Sequence, residues 1–377
     1  MNKIGIYLHI PFCVRKCNYC DFPSVAGREA LLPAYIQALE AELALQARNW
    51  PGCEAVTVFV GGGTPSLLRP EDYGRLMGAV RSAFPVAEDA EISLEANPGT
   101  VTPEKAQAMA DAGFNRVSLG VQAAQDELLR AMGRIHSRRD AEEAVRYLWD
   151  AGMRNFNVDL MFGLPGQTEA MWRESLAFAL AMPVSHLSFY SLSIEDGTPW
   201  GDLHATRQLE PASEASDRRM YHEARARLQQ AGFVHYEISN AAKPGLSCRH
   251  NLIYWNRGDY LGIGAGAHSL MDGWRFANTP DPDAYIRSVE MGDPLRTESF
   301  RPSPEDVLSE RLFMGMRLID GIDLQRVAAE TGTDVEARFA HDIDRLAGEG
   351  LLIRDGSRIR LSEKGLDFAN QVFLAFV

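Results

Sequence analysis

Six apolar runs of strand length alternate with amphipathic stretches across the first half of this chain, and few folds accommodate that order. The runs are residues 4–10, 56–60, 91–96, 116–122, 155–162 and 186–191. Residues 31–48, 70–84, 103–112, 138–151 and 168–181 between them read as helices. In the first of these, Leu32, Tyr35, Ile36, Leu39 and Leu43 share one side, and Thr102 is placed to cap the third. A strand–helix–strand succession implies parallel βαβ units. About six such units predict an α/β fold built on a partial, open parallel βα barrel. A closed barrel of eight is disfavoured because the rhythm changes after residue 195.

That change divides the chain into residues 1–200, an extension at 201–302 that completes the core domain, and a C-terminal domain at 303–377. The extension reads as a helix over 213–231 and a strand over 233–238, followed by a glycine-rich segment, 258–266. Glycine at that density suggests backbone lying close to either a ligand or a neighbouring chain; tight packing at a turn is the other reading. The C-terminal domain reads as helices over 306–318 and 335–349, then two short strands, 351–354 and 358–361, around a turn at Asp355-Gly356. This pattern is winged-helix-like. Its cations Arg354, Arg358 and Arg360 stand beside Asp355 and Glu363, and the chain carries a net charge of -13. The domain is therefore expected to pack or to meet a protein partner, with no nucleic acid bound.

The chemistry concentrates where the first strand ends. After Pro11 come Cys13, Cys17 and Cys20, three thiols spaced to converge on one inorganic centre. Three thiolates suit a four-iron, four-sulfur cluster with one open iron. The alternative is structural zinc, which requires a fourth ligand; no second cysteine pair follows, and His9 is the nearby candidate. The other two of the five cysteines, Cys53 and Cys248, stand alone, so a disulfide framework is not expected and the reduced cytoplasm is. Met1-Asn2-Lys3 leads directly into a strand without a signal peptide, and no apolar run reaches bilayer-spanning length. The turn Gly61-Gly62-Gly63-Thr64-Pro65 follows the second strand, and its glycines allow backbone N–H groups to approach an anion. Glu95, Gln122 and Asp159 each end or interrupt an apolar strand. In a parallel barrel such groups gather over one mouth; helix capping or loop hydrogen bonding is the other reading of each.

Cys13-x3-Cys17-x2-Cys20, with Tyr19 before the last thiol, resembles the radical S-adenosylmethionine (SAM) enzymes. The resemblance implies that the open iron chelates the amino and carboxylate groups of SAM, whose one-electron cleavage gives methionine and a 5′-deoxyadenosyl radical. Further stretches, from Tyr7 to Cys13, Gly61 to Ser66, Leu94 to Pro98, Leu119 to Gln122 and Asp159 to Thr168, resemble the oxygen-independent coproporphyrinogen III oxidase group. This implies that Tyr7, Tyr19, Gly62, Gly63, Thr64, Glu95, Gln122, Arg134 and Asp159 bind the cofactor. Arg134 enters through its position twelve residues after Gln122.

Two departures from the oxidases are present. Phe22 stands where they carry a further cysteine, and only twelve residues precede Cys13 where they have a longer extension. Both features resemble a haem-chaperone branch of the group, as does His250-Asn251-Leu252-Ile253-Tyr254-Trp255. This likeness implies haem as cargo, with His250 a candidate iron ligand and Cys248 its rival. It also implies recipient haem proteins, an electron donor such as a flavodoxin or ferredoxin, and peripheral contact with membrane haem proteins. Three functions are therefore in view: haem transfer, oxidative decarboxylation of coproporphyrinogen III, and a radical SAM reaction on an unrelated substrate.

Overall fold

The computed structural model describes residues 1–377. Six strands lie side by side in chain order and all run parallel: β1 Asn2–Ile10, β2 Cys53–Gly62, β3 Val86–Ala96, β4 Arg116–Gln122, β5 Phe156–Phe162 and β6 His186–Ser191. The crossovers are helices α1 Leu32–Asn49, α2 Pro70–Ala83, α3 Pro103–Ala112, α4 Arg138–Asp150 and α5 Glu169–Ala181. Thr102 caps α3 as expected, its hydroxyl accepting from Lys105 N–H at 3.3 Å.

Strand parity separates the two faces of this curved sheet. Val117, Leu119 and Val121 of β4, and Phe156, Val158, Leu160 and Phe162 of β5, belong to the buried apolar core. The alternate positions carry Arg116, Ser118 and Gln122, and Asn157 and Asp159, so the barrel's interior is polar.

The extension lengthens the sheet at both edges. β7 Val234–Glu237 and β8 Asn240–Ala242 add antiparallel beyond β6. β9 Tyr260–Ile263 adds parallel to β1, and β10 His268–Met271, β11 Trp274–Asn278 and β12 Arg296–Phe300 follow antiparallel. The result is one open sheet of twelve strands. Helix α6 Glu214–Gln230 covers β6, and the short helix α7 Arg249–Trp255 lies on the link from β8 to β9.

The glycine-rich segment meets neighbouring chain. A Cβ on Gly262 would lie 2.2 Å from His268 O, and one on Gly264, at φ +105°, 2.7 Å from His9 O.

The C-terminal domain has the winged-helix-like form: α8 Pro304–Gly315, α9 Leu324–Thr331 and α10 Val335–Gly348, with a three-stranded sheet of Ile322–Asp323, Arg358–Leu361 and Leu352–Asp355. It docks through backbone hydrogen bonds, Ile238 N–H to Arg317 O and Ile319 N–H to Tyr236 O, each 3.1 Å, and through His222 on Asp367 at 2.8 Å. No helix is long and apolar enough to cross a membrane.

Candidate active site

The loop carrying the three cysteines is fastened at several points. Val25 N–H donates to Pro11 O at 2.7 Å and Gly27 N–H to Cys13 O at 3.3 Å, so the loop returns beside its own start. Asn18 ties its middle to the rest of the barrel, its backbone N–H donating to Met132 O at 2.9 Å and its side-chain amide to Ala131 O at 2.8 Å. Cys13, Cys17 and Cys20 are unpaired, half-buried, and line one cavity of about 550 Å³. Burial pushes the thiols of Cys13 and Cys20 up, against opposing hydrogen bonds from Thr64 to the first and from the Phe22 backbone to the second. Thr64 Oγ1 donates to Cys13 Sγ and Arg134 Nη1 to Cys17 Sγ, both at 3.5 Å, so two sulfurs already face donors suited to thiolates.

His9 is excluded as a fourth ligand. Its Nδ1 accepts from Tyr7 OH at 2.8 Å, and its Nε2 donates to Pro23 O at 2.9 Å. Both ring nitrogens are used, the residue is 4% exposed, and burial holds its pKa below the usual histidine value.

The strand ends supply the other walls. A Cβ on Gly62, at φ +117°, would lie 2.6 Å from His9 Cε1, while one on Gly63 would lie 2.7 Å from Phe12 O and 3.0 Å from Cys13 Sγ. The glycine turn thus packs directly beneath the cysteine loop. Gly62 N–H donates to Glu95 Oε2 at 3.0 Å. Burial raises the Glu95 carboxyl to about 7, with the Gly62 N–H opposing and Asp159 reinforcing that shift. Asp159 is also raised by burial, opposed by hydroxyl and amide donors from Ser188, Asn157 and Ser118. Gln122 sits in the left-handed region at φ +69°, and its Oε1 accepts from Tyr190 OH at 3.0 Å. Arg134 reaches back from a loop to donate to Gly120 O at 2.5 Å, and its buried Nε has no partner.

The cavity brings together Cys13, Cys17, Tyr19, Cys20, Gly62, Gly63, Thr64, Glu95, Gln122, Arg134 and Asp159. Two expected residues lie outside it. Tyr7 stands behind its wall, with its hydroxyl on His9 and its ring stacked on Phe59 at 6.2 Å. His250 sits inside the barrel on α7, 1% exposed. Its Nδ1 bonds Thr57 Oγ1 at 2.7 Å and its Nε2 bonds Tyr254 OH at 2.8 Å. Both ring nitrogens of His250 are thus hydrogen-bonded in the barrel interior, an arrangement that suits a packing role. Its rival Cys248 is 0% exposed, with its thiol turned to Glu91 Oε1 at 3.5 Å. The same Glu91 carboxylate takes the N–H groups of Arg249 and His250, at 2.9 and 3.1 Å, and so caps α7.

The family model for the Radical SAM superfamily matches residues 7–179, and that for the HemN C-terminal domain matches residues 303–368. The heme chaperone HemW of Bacillus subtilis is 34% identical over 98% of both chains. That of Escherichia coli is 35% identical over 100% of this chain and 99% of its own. The chain belongs to the heme chaperone HemW family. Synechocystis HemW is 40% identical over 87% of this chain and 81% of its own. Among solved structures, the coproporphyrinogen III oxidase HemN of E. coli, titled a radical SAM enzyme, superposes with a TM-score of 0.86 over 100% of this chain and 90% of that one. At 23% identity this likeness establishes a shared fold.

Sequence reasoning overlooked several cavity residues of this HemW-family chain, among them Ser118, Ser188, Tyr190 and Asn240. The missed signal was parity: Ser118 and Gln122 on β4, and Ser188 and Tyr190 on β6, stand on alternate positions of one face. Asn240 gave no such signal, because β8 is only three residues long.

The Gly63 geometry makes a prediction. Gly63→Val forces its side chain onto the Phe12 carbonyl and Cys13 Sγ, so after reconstitution it should lose most of its iron as well as SAM binding. Gly78→Val on α2, where a Cβ meets nothing within 4 Å, should keep both. Iron assay and SAM titration measure the pair, and full iron content in Gly63→Val removes the turn from the site.

Proposed function

We propose that this protein carries a [4Fe–4S] cluster on Cys13, Cys17 and Cys20, binds SAM beside it, and binds haem for delivery to haem proteins. One observation carries the cofactor reading: the three thiols share a single cavity with eight of the nine residues expected to bind cofactor. The donor set is consistent with it. Three soft thiolates from one loop leave one iron of a cubane open. Glu95, an anion above about pH 7, and the cation Arg134 suit the amino and carboxylate ends of SAM, beside the Gly62–Thr64 turn. Gln122 and Asp159 suit its adenosine. Bound together, cluster and SAM supply the one-electron chemistry of the superfamily.

Full-length similarity to HemW proteins supports the haem reading. Recipient haem proteins, an electron donor such as a flavodoxin or ferredoxin, and peripheral contact with membrane haem proteins belong to the same proposal. Five free cysteines suit the reducing cytoplasm.

The second reading is coproporphyrinogen III oxidase, favoured by the complete SAM set and weakened by Phe22. Phe22 is 60% exposed on the cavity rim, where the oxidases carry a cysteine. Anaerobic reconstitution followed by two assays on one sample separates the readings. Haem titration is expected to show binding, and product analysis with coproporphyrinogen III and a reductant is expected to show no protoporphyrinogen. Conversion without haem binding would promote the oxidase.

A further inference from the structure

Across the inner face of the sheet, Asp159 of β5, Ser188 of β6 and Asn240 of β8 stand in one register row, and all three line the cavity. Asn240 is 8% exposed. Its amide N–H donates to the Glu237 carboxylate, which also accepts from Ser239 N–H at 3.3 Å. Glu237 is fully buried and faces Arg317 of the C-terminal domain at 3.8 Å. That pairing settles which end of the amide is which, because only the NH2 end can meet a carboxylate. The carbonyl Oδ1 has no donor. A buried carbonyl left unpaired costs about 1–3 kcal/mol.

We propose that Asn240 is a ligand-contacting residue, its Oδ1 accepting a hydrogen bond from the nucleoside of bound SAM. The chemistry of the row selects that class. Asn240 Oδ1 and the Asp159 carboxylate are both acceptors, so this wall suits O–H or N–H groups. The propionates of a porphyrin are acceptors at neutral pH and would be repelled. The ribose hydroxyls and the adenine amine of SAM are donors. Glu237 and Arg317 hold the amide from behind, so the orientation of the acceptor depends on the docked C-terminal domain.

The proposal rests on the SAM reading, and the test separates the two. Wild-type protein and Asn240→Leu, full-length and anaerobically reconstituted, are titrated calorimetrically with SAM and its 2′-deoxy, 3′-deoxy and 6-desamino analogues. One analogue is expected to bind wild type about tenfold more weakly than SAM, the worth of one neutral hydrogen bond. In Asn240→Leu that analogue and SAM should bind equally, a coupling that a general loss of structure does not produce. Should Asn240→Leu not fold, Glu237→Gln/Asn240→Leu removes the stranded carboxylate and carries the same comparison. If every analogue loses the same factor in both proteins, the carbonyl is served by water and the proposal falls while the SAM reading stands. If wild type binds no SAM, both fall.

Discussion

Replacing Cys13, Cys17 or Cys20 by Ala should empty the reconstituted protein of iron, whereas wild type should be brown and hold about four irons per chain. The loop offers no substitute ligand. Both nitrogens of His9 are occupied, and Cys53 and Cys248 are buried elsewhere, the latter against Glu91. Two thiolates would leave two irons of a cubane without protein ligands, so the loss should be nearly complete. Cys53→Ala and Cys248→Ala should keep the full complement. Iron and sulfide assay with the visible absorbance spectrum measures the series, and a full cluster in Cys17→Ala would refute the ligand assignment.

Glu95 should make SAM binding fall steeply below neutral pH. Its carboxyl is raised to about 7, by burial first. Above that value it is an anion that can face the amino group of SAM; below it the proton must leave before the ion pair forms. Affinity should therefore drop about tenfold per pH unit on the acid side. Glu95→Gln should bind weakly with a flat profile. The same shift has a signature in the ligand-free protein. The folded state holds this proton more tightly than the unfolded chain, whose carboxyl sits at 4.5. Its contribution is thus fully present below 4.5 and lost as pH rises through 7, which gives a loss of about 2 kcal/mol between pH 5.5 and 8 at the linkage constant. Denaturant unfolding of wild type and Glu95→Gln at those two pH values isolates the residue. Equal slopes in both proteins would mean that Glu95 titrates as an ordinary carboxylate.

The barrel was legible because each of its strands is an apolar run and each helix shows its own period. The expected β4 and β6 coincide with the observed ones, and Pro103–Ala112 has the expected ends. Of the extension, the helix and the strand after it were legible, at Glu214–Gln230 and Val234–Glu237, and the remaining strands were not. β8 to β11 are three to five residues long, too short for a period-two pattern, and their place on two opposite edges depends on pairing far along the chain. Helix α9 was missed although its sequence marks both ends, with Asp323 capping its first turn and Gly332 in the left-handed region after its last. In the site, the polar groups that end strands were found because they break an apolar run. Asn240 breaks none. The burial of His250 was not legible because sequence proximity to Tyr254 and Trp255 cannot separate an open pocket from a barrel interior. There, even Gly5 is shaped by the histidine, since a Cβ on it would lie 3.2 Å from His250 Cε1.

The position of β1 bears on how the molecule is made. Residues 5–8 pair on one side with β2 and on the other with residues 260–263. On the ribosome, the second flank of the first strand synthesised stays bare until about two thirds of the chain has emerged. An unpaired edge carrying Ile4, Ile6 and Leu8 is a template for wrong partners, and late, distant pairing prolongs its exposure. The cysteine loop hangs from that strand, and Gly264, just past the late-arriving partner, packs on its C-terminal end at His9 O. Loading of the proposed cluster would thereby follow synthesis of residues 260–264: a shorter product displays the thiols without the scaffold that positions them.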